Sequence, residues 1–178
     1  MKAVVLYESI YGNTRAVAQA IGEGLSGAYD VVVLAVDDAP PLGMADLDLL
    51  VVGGPTHVHG MSRPASRQAA TDAARKPGSG LVLEEAADGP GVREWLDALG
   101  ALPTNTAAFD TRIKAPAMLT GQASHGISKA MLRHGATEVV PPESFFVTKD
   151  NRLVDGEIDR ARQWGARVAA SAPASRRA

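Results

Sequence analysis

The chain has 178 residues, with 18 Lys and Arg against 20 Asp and Glu and no cysteine. That length suits one domain, placed at residues 1–170, and the near-neutral balance implies no nucleic-acid partner. Without thiols there are no disulfides, thiol catalysis or thiolate metal sites, and no apolar run approaches the roughly 20 residues that span a bilayer.

Residues 2–7 read as a buried parallel strand, with Ala3, Val4, Val5 and Leu6 nearly continuous. They meet Glu8 too soon for a secretion signal, so a cytoplasmic protein with no membrane partner is expected. The next residues, Ser9-Ile10-Tyr11-Gly12-Asn13-Thr14, open a helix with Val17, Ile21 and Leu25 on one face. Strand, loop and helix in this order aim backbone N–H groups and a positive helix end at one spot, which suits a phosphate. The Ser9 and Thr14 hydroxyls and the Asn13 amide add neutral donors, and Gly12 permits φ > 0 and close approach. An ordinary connection with an N-cap at Asn13 or Thr14 is the plainer alternative. Neither the triphosphate loop G-x-x-x-x-G-K-[ST] nor G-x-G-x-x-G is spelled here.

A second strand is expected over 31–36, broken by Asp37-Asp38-Ala39-Pro40-Pro41, and a third over 47–52. The third runs into Gly53-Gly54-Pro55-Thr56-His57-Val58-His59-Gly60-Met61. If that loop is extended, His57 and His59 point to opposite sides, and one of them faces a ligand. That histidine is a candidate proton donor; the alternative is that both are solvent-facing. With no third ligand nearby in sequence, no metal site is expected. Residues 62–75 read as helix and 76–80 as linker. Residues 62–91 form an enlarged crossover: a lid, a subunit contact or a solvated loop, in a monomer or homodimer.

Val92, Trp95, Leu96 and Leu99 mark a short amphipathic helix. A fourth strand over 106–109 ends at Asp110-Thr111-Arg112, whose amides and carboxylate are available for hydrogen bonds, although Arg112 equally suits a surface ion pair. A helix carrying Ile127 and Met131 follows, with His125 before it and His134 at its end as structural residues. The last strand, opening at 138–140, is interrupted by Pro141-Pro142 and resumes at 144–147, which makes it an edge or kinked strand. A final helix buries Ile158, Ala161, Gly165 and Val168, and Trp95 and Trp164 are packing residues. The tail, 171–178, is expected to fray.

The first loop resembles the flavodoxin family's T-x-T-G-x-T: Ser9, Gly12 and Thr14 fit, while Tyr11 departs toward the flavodoxin-like quinone reductases. Gly54-Pro55-Thr56 is similar to that family's G-x-P-T. The resemblance implies a flavodoxin-like doubly wound α/β three-layer sandwich, its five-stranded parallel sheet ordered 2-1-3-4-5, with ligand at the carboxyl ends of the first, third and fourth strands. It also implies FMN as cofactor, held by Ser9, Ile10, Tyr11, Gly12, Asn13 and Thr14, by Pro55, Thr56, His57, Val58, His59 and Gly60, and by Asp110, Thr111 and Arg112. Gly60 would allow the backbone flip that accompanies flavin reduction, and His57 and His59 are the catalytic candidates. A net charge of only −2, with His57, His59 and Arg112 near the flavin, favours an FMN-dependent oxidoreductase over a strongly acidic one-electron carrier. The acceptor is a quinone-like molecule or a redox partner; a protoporphyrinogen oxidase of this fold and a cofactor-free adaptor are further readings. A phosphoacceptor regulator is excluded, because Glu8 stands alone and Gly53 occupies the position of the phosphorylated acid.

Overall fold

The computed structural model describes residues 1–39, 47–102 and 104–173. Pro40 and Pro41, expected to break the second strand, lie outside these residues, as do 174–178 of the expected tail.

Strands β1 (Lys2–Tyr7), β2 (Asp30–Ala35), β3 (Leu49–His57) and β5 (Asn105–Ile113) form the body of a parallel sheet. A two-residue β4 (Gly60–Met61) folds back antiparallel on β3. The fifth position is shared by β6 (Thr137–Glu138) and β7 (Glu143–Val147), both parallel to β5. The order across the sheet is therefore 2-1-3-4-5 in strand positions, as expected. Thr106 faces Glu138 but Phe109 faces Glu143, so four residues, 139–142, stand against Ala107 and Ala108. Pro141 and Pro142 cannot donate to a ladder, and the chain bulges past them after one last bond from Val139 N–H to the Thr106 carbonyl.

The central strands β1, β3 and β5 are buried on both faces, as a parallel sheet between helices requires. Ala3, Val5, Leu49, Val51, Ala107 and Phe109 point to one layer, with α1 (Asn13–Leu25) and α6 (Glu157–Ser171). Val4, Leu6, Leu50, Val52 and Ala108 point to the other, with α3 (Val92–Asp97) and α5 (Ala123–Arg133). In the first layer Phe109, Phe145 and Trp164 meet edge-to-face at centroid separations of 6.1 to 6.3 Å, a favoured aromatic arrangement. Helices α1 and α6 approach closely: a Cβ on Gly165 would lie 2.4 Å from the Ile21 carbonyl oxygen, and one on Gly24 2.1 Å from that of Arg162. The crossover after β3 carries α2 (Pro64–Ala74) and returns through 75–91 to α3. A short α4 (Ala117–Thr120) follows β5.

Candidate functional site

The first loop leaves β1 with a Glu8 N–H bond to the Gly53 carbonyl and turns at Gly12, where φ is 89°. Ser9 Oγ accepts the Gly12 N–H at 3.1 Å. Helix α1 then begins with no side-chain cap and no acidic residue in its first turn. The first N–H groups of a helix have no intrahelical partner, so this end offers free donors and a positive dipole to an anion. Thr14 and Thr111 share a hydroxyl contact at 2.8 Å, which joins the loop to β5. The Tyr11 hydroxyl donates to the Ala70 carbonyl at 2.7 Å, which joins it to α2. Asn13 Nδ2 donates to the Asn151 backbone and side-chain oxygens, so the Asn13 amide is engaged within the protein.

The loop after β3 is a hairpin rather than an extended strand end. His57 pairs with Gly60, and Val58 (φ 47°) and His59 (φ 70°) both sit in the left-handed region, as a two-residue primed turn requires. Gly60 is thus a paired residue of β4 with no positive φ. His57 is half-buried beside α2, and burial holds its imidazole below the usual histidine range. It is held neutral near pH 7. His59 is exposed, and its backbone bridges Gly121.

The fourth strand does not end at 109. Glu143–Val147 pairs with Phe109–Ile113 beyond the proline bulge, and this partner carries β5 through Asp110, Thr111 and Arg112 to Ile113. Alternation along the strand turns Asp110 inward, fully buried, where Oδ2 accepts the Ser124 N–H at 2.9 Å at the start of α5. Asp110 therefore serves α5 and not the edge of a ring. Burial pushes its carboxyl above the ordinary range, and Oδ1 is without a hydrogen-bond partner. Arg112 makes no ion pair among the described residues, which sets aside the alternative reading of it as a surface partner. Its Nη1 donates to the Ala115 carbonyl at 2.7 Å and to Thr120 Oγ1 at 2.9 Å, and the guanidinium lies 4.8 Å over the Phe146 ring.

These elements enclose a groove of about 190 Å³ at the carboxyl ends of β1, β3 and β5. Ile10, Tyr11, Asn13 and Thr14 line it from the first loop, Pro55, Thr56 and His57 from the second, and Thr111 and Arg112 from β5. Ser9 and Gly12 shape the loop from behind, whereas Val58, His59, Gly60 and Asp110 are not among the lining residues. Ile113, Val147 and Asn151 complete the lining. Sequence reasoning missed them: the signal for Ile113 was a strand longer than its apolar core, and that for Asn151 was a turn remote in sequence from every motif.

A doubly wound sheet with a groove at the switch point between β1 and β3 is the arrangement the first loop's spelling anticipated. The family model described as Flavodoxin matches residues 5–88, which covers the first two loops and most of the crossover. The fold is flavodoxin-like. A flavodoxin from the domain Archaea superposes with a TM-score of 0.62 at 22% identity, over 96% of this chain and 97% of that one. Oxidised flavodoxin 1 from Bacillus cereus gives 0.64 at 18% identity, over 96% and 98%. A flavodoxin, WrbA-like protein from Agrobacterium tumefaciens gives 0.57 at 21% identity, over 96% of each. No curated protein matches the chain.

Beneath the first loop the flavodoxin-like fold carries a buried polar cluster that its motifs do not announce. Glu8, 5% exposed, accepts the Val92 N–H at 2.9 Å through Oε2. Arg67, 6% exposed, bonds to Ser62 Oγ at 3.0 Å and pairs with Glu94 at 3.1 Å. Arg93 holds the Met61 and Ser62 carbonyls. Burial raises the Glu8 carboxyl above its ordinary range, and bonds to Ser62 and Val92 lower it in part. The cluster clamps the enlarged crossover under the loop, and Glu84 closes the other side: its N–H donates to the Ile10 carbonyl at 2.8 Å and its carboxylate meets Arg15 at 3.2 Å. Thus residues 62–94 buttress the site. Among the described residues, no three or more His, Asp or Glu side chains are placed to hold a metal ion.

Proposed function

We propose that this chain binds FMN and serves in electron transfer, acting as an FMN-dependent oxidoreductase on a flat oxidised acceptor of the quinone type. The observation that carries this reading is the uncapped start of α1 behind Gly12, opening on a groove made by three strand ends. The first loop fits a phosphate: it offers N–H donors and hydroxyls, with no carboxylate in the first helical turn. Ser9 and Gly12, which shape the turn, would set the N–H groups that open α1 and Thr14 against that group, and Pro55, Thr56, His57, Thr111 and Arg112 would hold the remainder. When bound, FMN supplies the capacity to accept and pass on electrons.

The residues around the groove set the electrostatics of that chemistry. Arg112, permanently cationic, lines it and is fixed by two hydrogen bonds and the Phe146 ring. A fixed cation favours added negative charge nearby and so raises a reduction potential. His57 is neutral at pH 7 and offers an N–H or a ring nitrogen rather than a charge. Of the two histidines it is the better proton-handling candidate, because it lines the groove and His59 does not.

The test is a titration with FMN and with riboflavin, followed by a potentiometric titration of the loaded protein and a screen of quinones. Micromolar or tighter FMN binding with marked discrimination against riboflavin supports the phosphate site. Two-electron reduction with quinone turnover supports the enzyme; a very low potential without turnover supports a one-electron carrier. No binding of FMN refutes the reading.

A further inference from the structure

The rim of the groove shows three large apolar side chains to solvent. Val58 is 85% exposed, Met118 91% and Leu119 67%. Two separate elements present them, the β3–β4 hairpin tip and α4, and the His59–Gly121 bridge brings these together. Neither element is loose. The Gly121 N–H bonds to the Ala117 carbonyl at 2.7 Å, that of Leu119 to Pro116 at 2.9 Å, and Arg112 supports Thr120 from beneath. Val58 is also a β-branched residue at φ 47°, where Asn or Gly is the favoured choice. The tip thus bears both conformational strain and apolar exposure.

The sequence that flanks these tips is one-sided in charge. Residues 54–71 and 111–137 contain no Asp or Glu in a chain of net charge −2; of their cations, Arg67 is buried against Glu94, Arg112 is buried, and Arg133 ends α5. Arg63, Lys114 and Lys129 are exposed, with His59 and His125 among them. On the neighbouring turn after β7, Asp150 is matched by Lys149. Protruding apolar points flanked in sequence by exposed cations match an anionic lipid surface: the points enter the acyl boundary and the cations meet the headgroups. A rigid acidic protein would match the cations but leave Met118 and Val58 without an apolar recess.

We propose that this rim docks the protein reversibly onto anionic membrane surfaces through Val58, Met118, Leu119 and the flanking cations. This departs from the expectation of no membrane partner, which rested on the absence of a spanning segment; docking needs none. It does not depend on bound flavin. On an enzyme with a quinone acceptor it would face the groove toward the bilayer.

The test is co-sedimentation of the full chain, with and without FMN, with phosphatidylcholine vesicles and with equal mixtures of phosphatidylcholine and phosphatidylglycerol. Binding to the anionic vesicles, weakened by salt, is expected. Lys114→Gln lowers affinity about fivefold, the effect of one surface cation, and Met118→Ser about tenfold or more. Val58→Asn also weakens binding while the melting temperature holds or rises, a combination that a merely structural role would not give. Met118→Ser, on an almost fully exposed side chain, keeps the test valid whatever Val58→Asn does to folding. Absence of binding to anionic vesicles at low salt, equal binding to neutral ones, or affinity unchanged by all three variants overturns the proposal. Binding to polyglutamate with no vesicle binding also overturns it, and assigns the face to an acidic protein.

Discussion

Replacing Gly12 with alanine tests the first loop on two independent scales. At φ 89° an L-residue with a Cβ costs about 1–2 kcal/mol in backbone strain. The new Cβ would also stand 3.1 Å from Glu84 Oε1, so that carboxylate must yield and loosen its 3.2 Å contact with Arg15. Half-exposed pairs contribute under about 1 kcal/mol, so strain dominates and the expected loss is about 1–2 kcal/mol in urea unfolding. If the turn relaxes by rotating Gly12, at least one N–H leaves the anion position. A hydrogen bond to a charged group is worth about 1.5–3 kcal/mol, so FMN affinity falls roughly tenfold to a hundredfold. Riboflavin, lacking the phosphate, should bind the variant as it binds the parent. Gly12→Asn, which tolerates the left-handed region better, should recover most of the stability. If Gly12→Ala leaves both unfolding and the FMN-to-riboflavin ratio unchanged, the loop geometry and its assignment are wrong together.

Gly165→Ala should destabilise by about 1–3 kcal/mol in spite of a helix-propensity gain of about 1, because its Cβ meets the Ile21 backbone oxygen at 2.4 Å; equal or greater stability would refute the close packing of α1 and α6. Arg67→Ala removes the partner of Ser62 and Glu94, and should speed proteolysis of the 62–91 crossover more than cleavage elsewhere. The pH profile follows from burial. Glu8 and Asp110 keep their protons to higher pH in the folded chain, so the native state binds more protons than the unfolded one above the ordinary carboxyl range. Stability then declines as pH rises from about 4–5 toward the raised values, by about 1.4 kcal/mol for each pH unit over which one carboxyl is protonated in the folded chain alone. Glu8→Gln and Asp110→Asn should flatten that limb of a pH series of melting temperatures; an unchanged slope would show that neither carboxyl is responsible. His57 acts oppositely: the unfolded chain takes up a proton below about pH 6.5 that the buried imidazole resists, and His57→Gln should remove that acid-side loss.

The residues that announced the fold were those whose environment is uniform along an element. Val4, Leu6, Leu50 and Val52 are buried in one layer while Val5 and Val51 face the other, so unbroken apolar runs were enough to place the central strands. Val92, Trp95 and Leu96 in α3 and Ile127 and Met131 in α5 were equally plain from helical spacing. Legibility failed where long-range pairing overrode local chemistry. Asp110 and Arg112 look like loop residues, but the resumed fifth strand holds them in a ladder. Val58-His59 carries no turn spelling, and the hairpin forms because Thr56 and His57 pair with Met61 and Gly60. Within the site the first loop was readable because its residues are contiguous. Asn151, Glu8 and Arg67 were not, since their roles depend on partners 138, 84 and 27 positions away (94 − 67 for the last).

The proline bulge has a consequence for how copies of the molecule behave at high concentration. The outer border of the sheet beyond β5 offers only the two residues of β6 and the five of β7 in register. Between them Pro141 and Pro142 present no amide hydrogen and displace the backbone. An incoming strand from another copy would find two short, misaligned templates in place of one continuous one. Borders of this kind blunt edge-to-edge polymerisation, so the pair that interrupts the fifth strand also guards the sheet against self-templated growth on that side.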